Sequence, residues 1–236
     1  VHAAGMCHSD YHLTTGATPI GLPALGGHEG AGVVTKVGRN VTGIEEGDHV
    51  ILAFIPACGE CAPCRKGYRS LCDRGAVLLG GKAIADGTSR VHAGGTEVSP
   101  MNLLGTFAPY MTVHKDSVVK IDKDVPFETA AIMGCAVPTG FGSATNVAEV
   151  QPGETVVIVG VGGVGMSALQ GAVISGARNV VAIDPNEWKR DQAVKFGATH
   201  VYPSMAEAIA PLIDLTHGVM ADKTIIAVGE IKGEYI

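Results

Sequence analysis

"ETVVIVGVGGVGMSALQGAVISGARNVVAIDPN", residues 154–186, decides the fold. Thr155 to Val159 is short, apolar and β-branched, which predicts a buried strand. Gly160, Gly162 and Gly165 follow as G-x-G-x-x-G. An apolar stretch with helical character then runs to about Ser175, and Gly176 is its stop signal. Val180 to Ile183 read as the next strand, with Asp184 at its end, nineteen residues beyond Gly165. A lone glycine motif carries little weight. Strand, glycine turn, helix, strand and terminal acid in that order predict a dinucleotide-binding unit. Its turn, Gly160 to Gly165 with Gly163 and Val164 inside it, lets a pyrophosphate approach a helix N-terminus. The acid takes the ribose hydroxyls, which favours NAD over NADP. A glycine-rich turn in some other α/β unit is the competing reading.

The same rhythm continues downstream. Helices are expected over 187–196 and 204–215, and strands over 199–202 and 223–228. That makes half to two-thirds of a doubly wound parallel sheet. Upstream the pattern changes. "GAGVVTKVG" and "GDHVILAF" read as short strands between turns, so residues 1–138 are expected to form a β-rich domain.

Composition narrows the function. The 236 residues are 46% hydrophobic and 17% charged, enough apolar content for a buried core. A net charge of −6 argues against nucleic acid or a membrane surface as partner. No run approaches the roughly 18 apolar residues of a membrane span. The chain opens on Val1 in mid-pattern, and we read it as a piece of a longer protein that does not act alone.

Four of the six cysteines, Cys58, Cys61, Cys64 and Cys72, stand in "CGECAPCRKGYRSLC", residues 58–72. A disulfide framework suits cysteines spread along a short secreted chain. A thioredoxin-like motif needs one C-x-x-C pair. Four closely spaced thiolates with turn residues between them suit one tetrahedral zinc ion, and four leave no open position. That zinc is structural. A nucleic-acid-binding zinc ribbon is the rival, and the acidic balance disfavours it. Cys7, His28 and Cys135 remain as a set of three, which fits a catalytic zinc with one open position. Asp10 is placed to orient an imidazole. Pro138 and Gly140 read as a bend after Cys135. His2, His49, His92, His114, His200 and His217 lack a partner motif.

"CHSDYH", "GGHEGAGVV", the four-cysteine lobe, "GCAVPTG" and "GVGGVG", in this order, resemble the zinc-dependent medium-chain alcohol dehydrogenases over essentially the whole chain. "DGTSR" at 86–90 is similar to their long class I type loop, and the wording stands closest to the actinobacterial nitrosoaniline (NDMA)-dependent subgroup. The resemblance implies a GroES-like catalytic domain over 1–138, with its zinc lobe at 58–72, and a Rossmann NAD-binding domain over 139–236. It implies two zinc ions per subunit, the catalytic one on Cys7, His28 and Cys135 with Glu29 as a near or alternate ligand. It further implies His8 at the cofactor pyrophosphate, Ser9 on the alcohol oxygen and His12 completing a proton relay. Thr139 is implied at the nicotinamide, and Asp184 and Lys189 at the adenosine ribose. The implied activity is reversible oxidation of a primary alcohol to an aldehyde with NAD, in a cytoplasmic homo-oligomer, dimer or tetramer. The subgroup adds an NAD(H) that stays bound. Two alternatives remain: a thiol-dependent formaldehyde dehydrogenase of the same family, and a non-catalytic nucleotide-binding relative, whose mark is loss of the catalytic zinc ligands.

Overall fold

Two separate sheets organise the chain, and each is dictated by a different apolar pattern. The computed structural model describes residues 1–229, so the end of the domain expected over 139–236 lies outside the described residues. The chain divides into two units between Cys135 and Ala136.

The first unit is built on an antiparallel sheet in the order β1-β3-β4-β8. Its strands are β1 (Ala3–Gly5), β3 (Glu29–Val33), β4 (His49–Leu52) and β8 (Val118–Ile121). Ala31 and Ile51 face Ala130 and Ala131 of helix α3 (Phe127–Ile132), a small core that needs small residues for close approach. Helix α1 (His8–Thr15) follows β1 directly. A short parallel pair, β2 (Ala24–Leu25) with β7 (Ser99–Pro100), and a hairpin, β5 (His92–Ala93) with β6 (Thr96–Glu97), complete the strands, and α2 (Ala62–Arg65) lies in the cysteine lobe. The strand expected in "GAGVVTKVG" ends early, at Val33. Val34 keeps only one further exchange of bonds, to Asp48 and Gly47, before the turn takes over.

The second unit begins with α4 (Ala136–Gly142) and holds β9 (Thr155–Val159), α5 (Gly163–Ile174), β10 (Asn179–Ile183) and α6 (Glu187–Lys195). It continues through β11 (His200–Tyr202), α7 (Met205–Leu215) and β12 (Lys223–Ile226). The sheet is parallel, in the order β11-β10-β9-β12. Helices cover both faces, which is why the strands read as unbroken apolar runs rather than alternation. Val156, Ile158, Val180 and Ala182 pack with Ala168, Leu169 and Ala172 of α5. Val157, Val159, Val181 and Ile183 pack with Ala208 and Leu212 of α7 on the other side. The predicted helix start at 204 is a cap: Ser204 Oγ accepts the Glu207 N–H at 3.3 Å, and α7 begins one residue later. Strand order reverses at β9, which opens the crevice where such sheets bind ligands, and the glycine turn stands at that end.

The bend expected at Pro138 and Gly140 is a helix instead. Proline fits the first turn of a helix, where its missing N–H has no partner to lose. Gly140 is required by packing. A Cβ there would lie 2.0 Å from the Val164 carbonyl oxygen and 2.8 Å from the Ala168 nitrogen, both on α5.

Candidate metal centre and nucleotide site

Strand β1 ends at Gly5, and Cys7 becomes the N-cap of α1. Asp10, at the third position of that helix, closes the cap: its Oδ2 accepts the Cys7 N–H at 2.9 Å. Its Oδ1 accepts the Gly27 N–H, also at 2.9 Å, and lies 3.7 Å from His28 Nδ1. One buried carboxylate thus sets the backbone before His28, the imidazole itself and the Cys7 turn. Ligand atoms of Cys7, His28, Glu29 and Cys135 all lie within 4.8 Å of one another. His28, Glu29 and Cys135 are buried. Hydrogen bonds with Cys135 and His28 pull the Cys7 thiol down to about 3 against the opposing effect of burial. Burial works against a charged His28, but its bond to Cys7 and the Asp10 carboxylate win and raise its pKa. Among the described residues His28 Nδ1 has no hydrogen-bond partner. Packed sulfur, imidazole and carboxylate donors sharing protons in a buried pocket are satisfied together by a divalent ion. Cys2His with an adjacent carboxylate is a donor set for catalytic zinc.

Ser9 Oγ accepts from Cys7 Sγ at 3.8 Å. His8 and His12, one turn apart on α1, meet edge to face with centroids 4.7 Å apart. Among the described residues Ser9 and His12 are not hydrogen-bonded to each other, so any relay between them needs an intermediary. Phe54 was missed by sequence reading. Its ring stands edge-on to His28, at 5.6 Å and 87°, on the segment leading into the cysteine lobe. A phenylalanine in a loop carries no pattern that would single it out.

Cys58, Cys61, Cys64 and Cys72 gather in a second cluster, again within 4.8 Å. None of the six cysteines is joined in a disulfide. The Cys58–Cys64 and Cys61–Cys72 sulfur pairs are 4.0 and 3.9 Å apart. A tetrahedron with Zn–S near 2.3 Å has edges of about 3.8 Å, whereas a disulfide needs about 2.05 Å. The geometry therefore fits the ion. N–H groups of Cys61 and Glu60 bring Cys58 down to about 6, while burial pushes Cys64 up to about 12. Arg74, beside the lobe, bonds to Asp116 just before β8, where Lys115 Nζ also lies 3.0 Å from Asp116 Oδ1. That clamp joins residues 42 positions apart and left no local trace in the sequence.

In the second unit the glycines divide their work. A Cβ on Gly165 would lie 1.8 Å from the Gly160 carbonyl oxygen, so this position serves the tight turn. A Cβ on Gly162 would meet nothing within 4 Å, so the space over the N-terminus of α5 is open to a ligand. Gly163 and Val164 form the first turn of α5. Asp184 is buried at the end of β10 and accepts the Val161 N–H at 3.0 Å and the Asn186 N–H at 2.9 Å. Lys189 Nζ lies 3.6 Å from Asp184 Oδ2. Thr139 is exposed on α4, its carbonyl accepting from Ser143 Oγ at 2.7 Å. These residues suit a dinucleotide: an open glycine, a helix start and a carboxylate already oriented.

Residues 1–123, more than half of the chain, match the model of the alcohol dehydrogenase GroES-like domain. Residues 163–233 match that of the zinc-binding dehydrogenases. The chain belongs to the zinc-dependent medium-chain alcohol dehydrogenases. Within this family, alcohol dehydrogenase B of Mycobacterium tuberculosis is 59% identical over 99% of the chain and 62% of its own length. An NDMA-dependent alcohol dehydrogenase of Amycolatopsis methanolica is 48% identical, over 99% and 63%. Among solved structures, an alcohol dehydrogenase zinc-binding domain protein of Burkholderia ambifaria superposes with a TM-score of 0.86 at 35% identity, covering 96% of this chain and 62% of that one. Benzyl alcohol dehydrogenase of Acinetobacter calcoaceticus gives 0.82 at 32%, covering 97% and 62%. The chain spans about three-fifths of these relatives, at 62 to 63% of the two curated ones. The family implies zinc and NAD(H). No helix among the described residues is long and apolar enough to cross a membrane.

Proposed function

We propose that the chain carries the metal and nucleotide sites of an oxidoreductase that moves hydride from a primary alcohol to NAD, reversibly giving an aldehyde. What supports it is the group of four donors, Cys7, His28, Glu29 and Cys135, three of them buried, in a member of this family. Zinc bound there supplies Lewis acidity that makes an alcohol hydroxyl easier to ionise, and NAD supplies the acceptor for two electrons. Cys7, His28 and Cys135 hold the ion, and Asp10 keeps His28 in one orientation. Ser9, whose hydroxyl both accepts and donates, would take the alcohol proton, and His12 would complete the relay that carries it to water. His8 holds the pyrophosphate with the Gly160–Gly165 turn, Thr139 borders the nicotinamide, and Asp184 and Lys189 hold the adenosine ribose. The division of labour follows residues 1–138 and 139–236. The second zinc, on Cys58, Cys61, Cys64 and Cys72, stiffens the lobe. The working enzyme is a cytoplasmic homo-oligomer, and its NAD(H) stays bound between turnovers.

The relatives carry alcohol dehydrogenase names, which does not favour the thiol-dependent formaldehyde reading. A non-catalytic relative is disfavoured by the presence of all the zinc donors. The test is zinc content together with turnover of primary alcohols. Two zinc ions per chain and NAD-linked aldehyde formation, lost in Cys135→Ala, are expected. A single zinc, or turnover unaffected by Cys135→Ala, would refute the assignment.

A further inference from the structure

We propose that Gly5 is a positioning residue for the open metal site: its missing side chain leaves the space in which the Glu29 carboxylate stands beside Cys7, His28 and Cys135 as a near or alternate donor. The inference rests on the metal site proposed above. Strands β1 and β3 run antiparallel, and their register sets Gly5 directly opposite Glu29. Residues opposite one another in such a pair project to the same face, with Cβ atoms about 4.5–5.5 Å apart. Here the Glu29 side chain folds back over its partner. A Cβ on Gly5 would lie 2.1 Å from Glu29 Oε2, and 3.2 Å from both its Cβ and its Cδ. Contacts below about 3 Å force something to move, and the oxygen is the atom most in the way.

The backbone gives no reason for a glycine here. Gly5 is outside the left-handed region, unlike Gly16 or Gly27 in the same unit. The neighbouring strand residues, Ala3 and Ala4, carry a Cβ without difficulty. What the glycine accommodates is therefore the carboxylate. Glu29 is 4% exposed, so an oxygen driven from this place has no solvent to retreat into. The carboxylate must turn, and its turning moves the oxygen that lies with the donor atoms of Cys7, His28 and Cys135. The sequence places Gly5 two residues before Cys7, and Glu29 directly after His28. The pair of strands that brings the two ligand-bearing segments together is thus also the pair that makes room for the Glu29 carboxylate.

The experiment measures zinc loss from the intact enzyme to an excess of a chromogenic chelator, with the four-cysteine site as internal reference. Gly5→Ala should release the open-site zinc on the order of tenfold faster, and Glu29→Ala should do the same. The double variant should release no faster than Glu29→Ala, because the shortened side chain has no atom at the point of conflict. In the cobalt-substituted protein the visible spectrum should shift in Gly5→Ala and shift no further in the double variant. If Gly5→Ala alone folds poorly, its rescue by Glu29→Ala gives the same answer. Release from Gly5→Ala at the unmodified rate, or effects that multiply in the double variant, would overturn the inference while leaving the site intact. A protein holding zinc only at its four-cysteine lobe would overturn the site and the inference together.

Discussion

Asp184 does two jobs with one carboxylate. Its oxygens already hold the N–H groups of Val161 and Asn186, so it is oriented before any ribose arrives. In the proposed nucleotide site it would also set a negative charge where a 2′-phosphate would lie. NAD should therefore exceed NADP in kcat/KM by on the order of a hundredfold, a gap of about 2.7 kcal/mol. Comparable values for both would refute this. Asp184→Ser should lose NAD affinity without gaining NADP in proportion, since the glycine turn loses its anchor as well. The proton path gives a second test at this scale. Ser9→Ala should keep both zinc ions and lose alcohol oxidation by about a hundredfold, within the usual range for a positioned proton-transfer group. His12→Gln should cost less, about tenfold, because water can substitute for the last carrier. Unchanged turnover in either variant removes that residue from the path. The residues that the structure brings together as metal donors were legible in the sequence because their chemistry is rare. Cys7, His28 and Cys135 stand out among alternatives, whereas Phe54 and Arg74 do not. Their roles come from contacts that no local spacing encodes.

At the scale of elements, what could be read followed burial. β9 and β10 lie between two helical layers, and their unbroken apolar runs gave their limits closely. Strand β3 could not be bounded, because valines continue beyond the point where the chain leaves the sheet. Helix α4 was misread, since proline and glycine within seven residues look like a turn. Contact with α5 supplies the reason for the glycine, and that contact is invisible until both helices are placed. Gly140→Ala should accordingly destabilise the second unit by about 1–3 kcal/mol in urea unfolding, the usual cost of forcing atoms into a packed interface. Gly162→Ala, where a Cβ meets nothing, should leave stability nearly unchanged and weaken nucleotide binding instead. The reverse order would contradict the division of work between these glycines. The clamp on Asp116 carries a pH signature. Burial opposes its ionisation, but Lys115, His114 and Arg74 outweigh it and hold its pKa below the usual carboxylate range. A depressed folded-state pKa contributes stability above the unfolded value near 3.9, and loses it as pH falls through the folded one. Asp116→Asn should cost about 1–2 kcal/mol at neutral pH, discounted for the partly exposed Arg74 and Lys115. The difference from the unmodified protein should shrink below about pH 4. A constant difference across that range would deny the clamp its charge.

At the scale of the whole molecule, the two donor clusters lie in one unit and the glycine-turn fingerprint in the other. Each can be lost by itself. Cys61→Ala should lower the melting temperature and leave the open-site donors able to bind zinc. Cys135→Ala should abolish turnover with little change in melting temperature. Equal loss of folding in both would argue against separate roles. The spacing of the ligands also sets an order in time. Those of the closed site span Cys58 to Cys72, while those of the open site reach from Cys7 to Cys135. During synthesis the four thiolates emerge from the ribosome almost together, and the loops between them are short enough to close at little entropic cost. The open site has to wait for its last ligand and for the sheet that aligns Cys7 with His28. A nascent chain supplied with limited zinc should fill its closed site first, and a refolding chain should take up the metal in two steps, the second only as fast as the first unit folds. On the proposed assignment, maturation would therefore follow a built-in sequence, in which the ion that holds the lobe arrives before the ion of the open site.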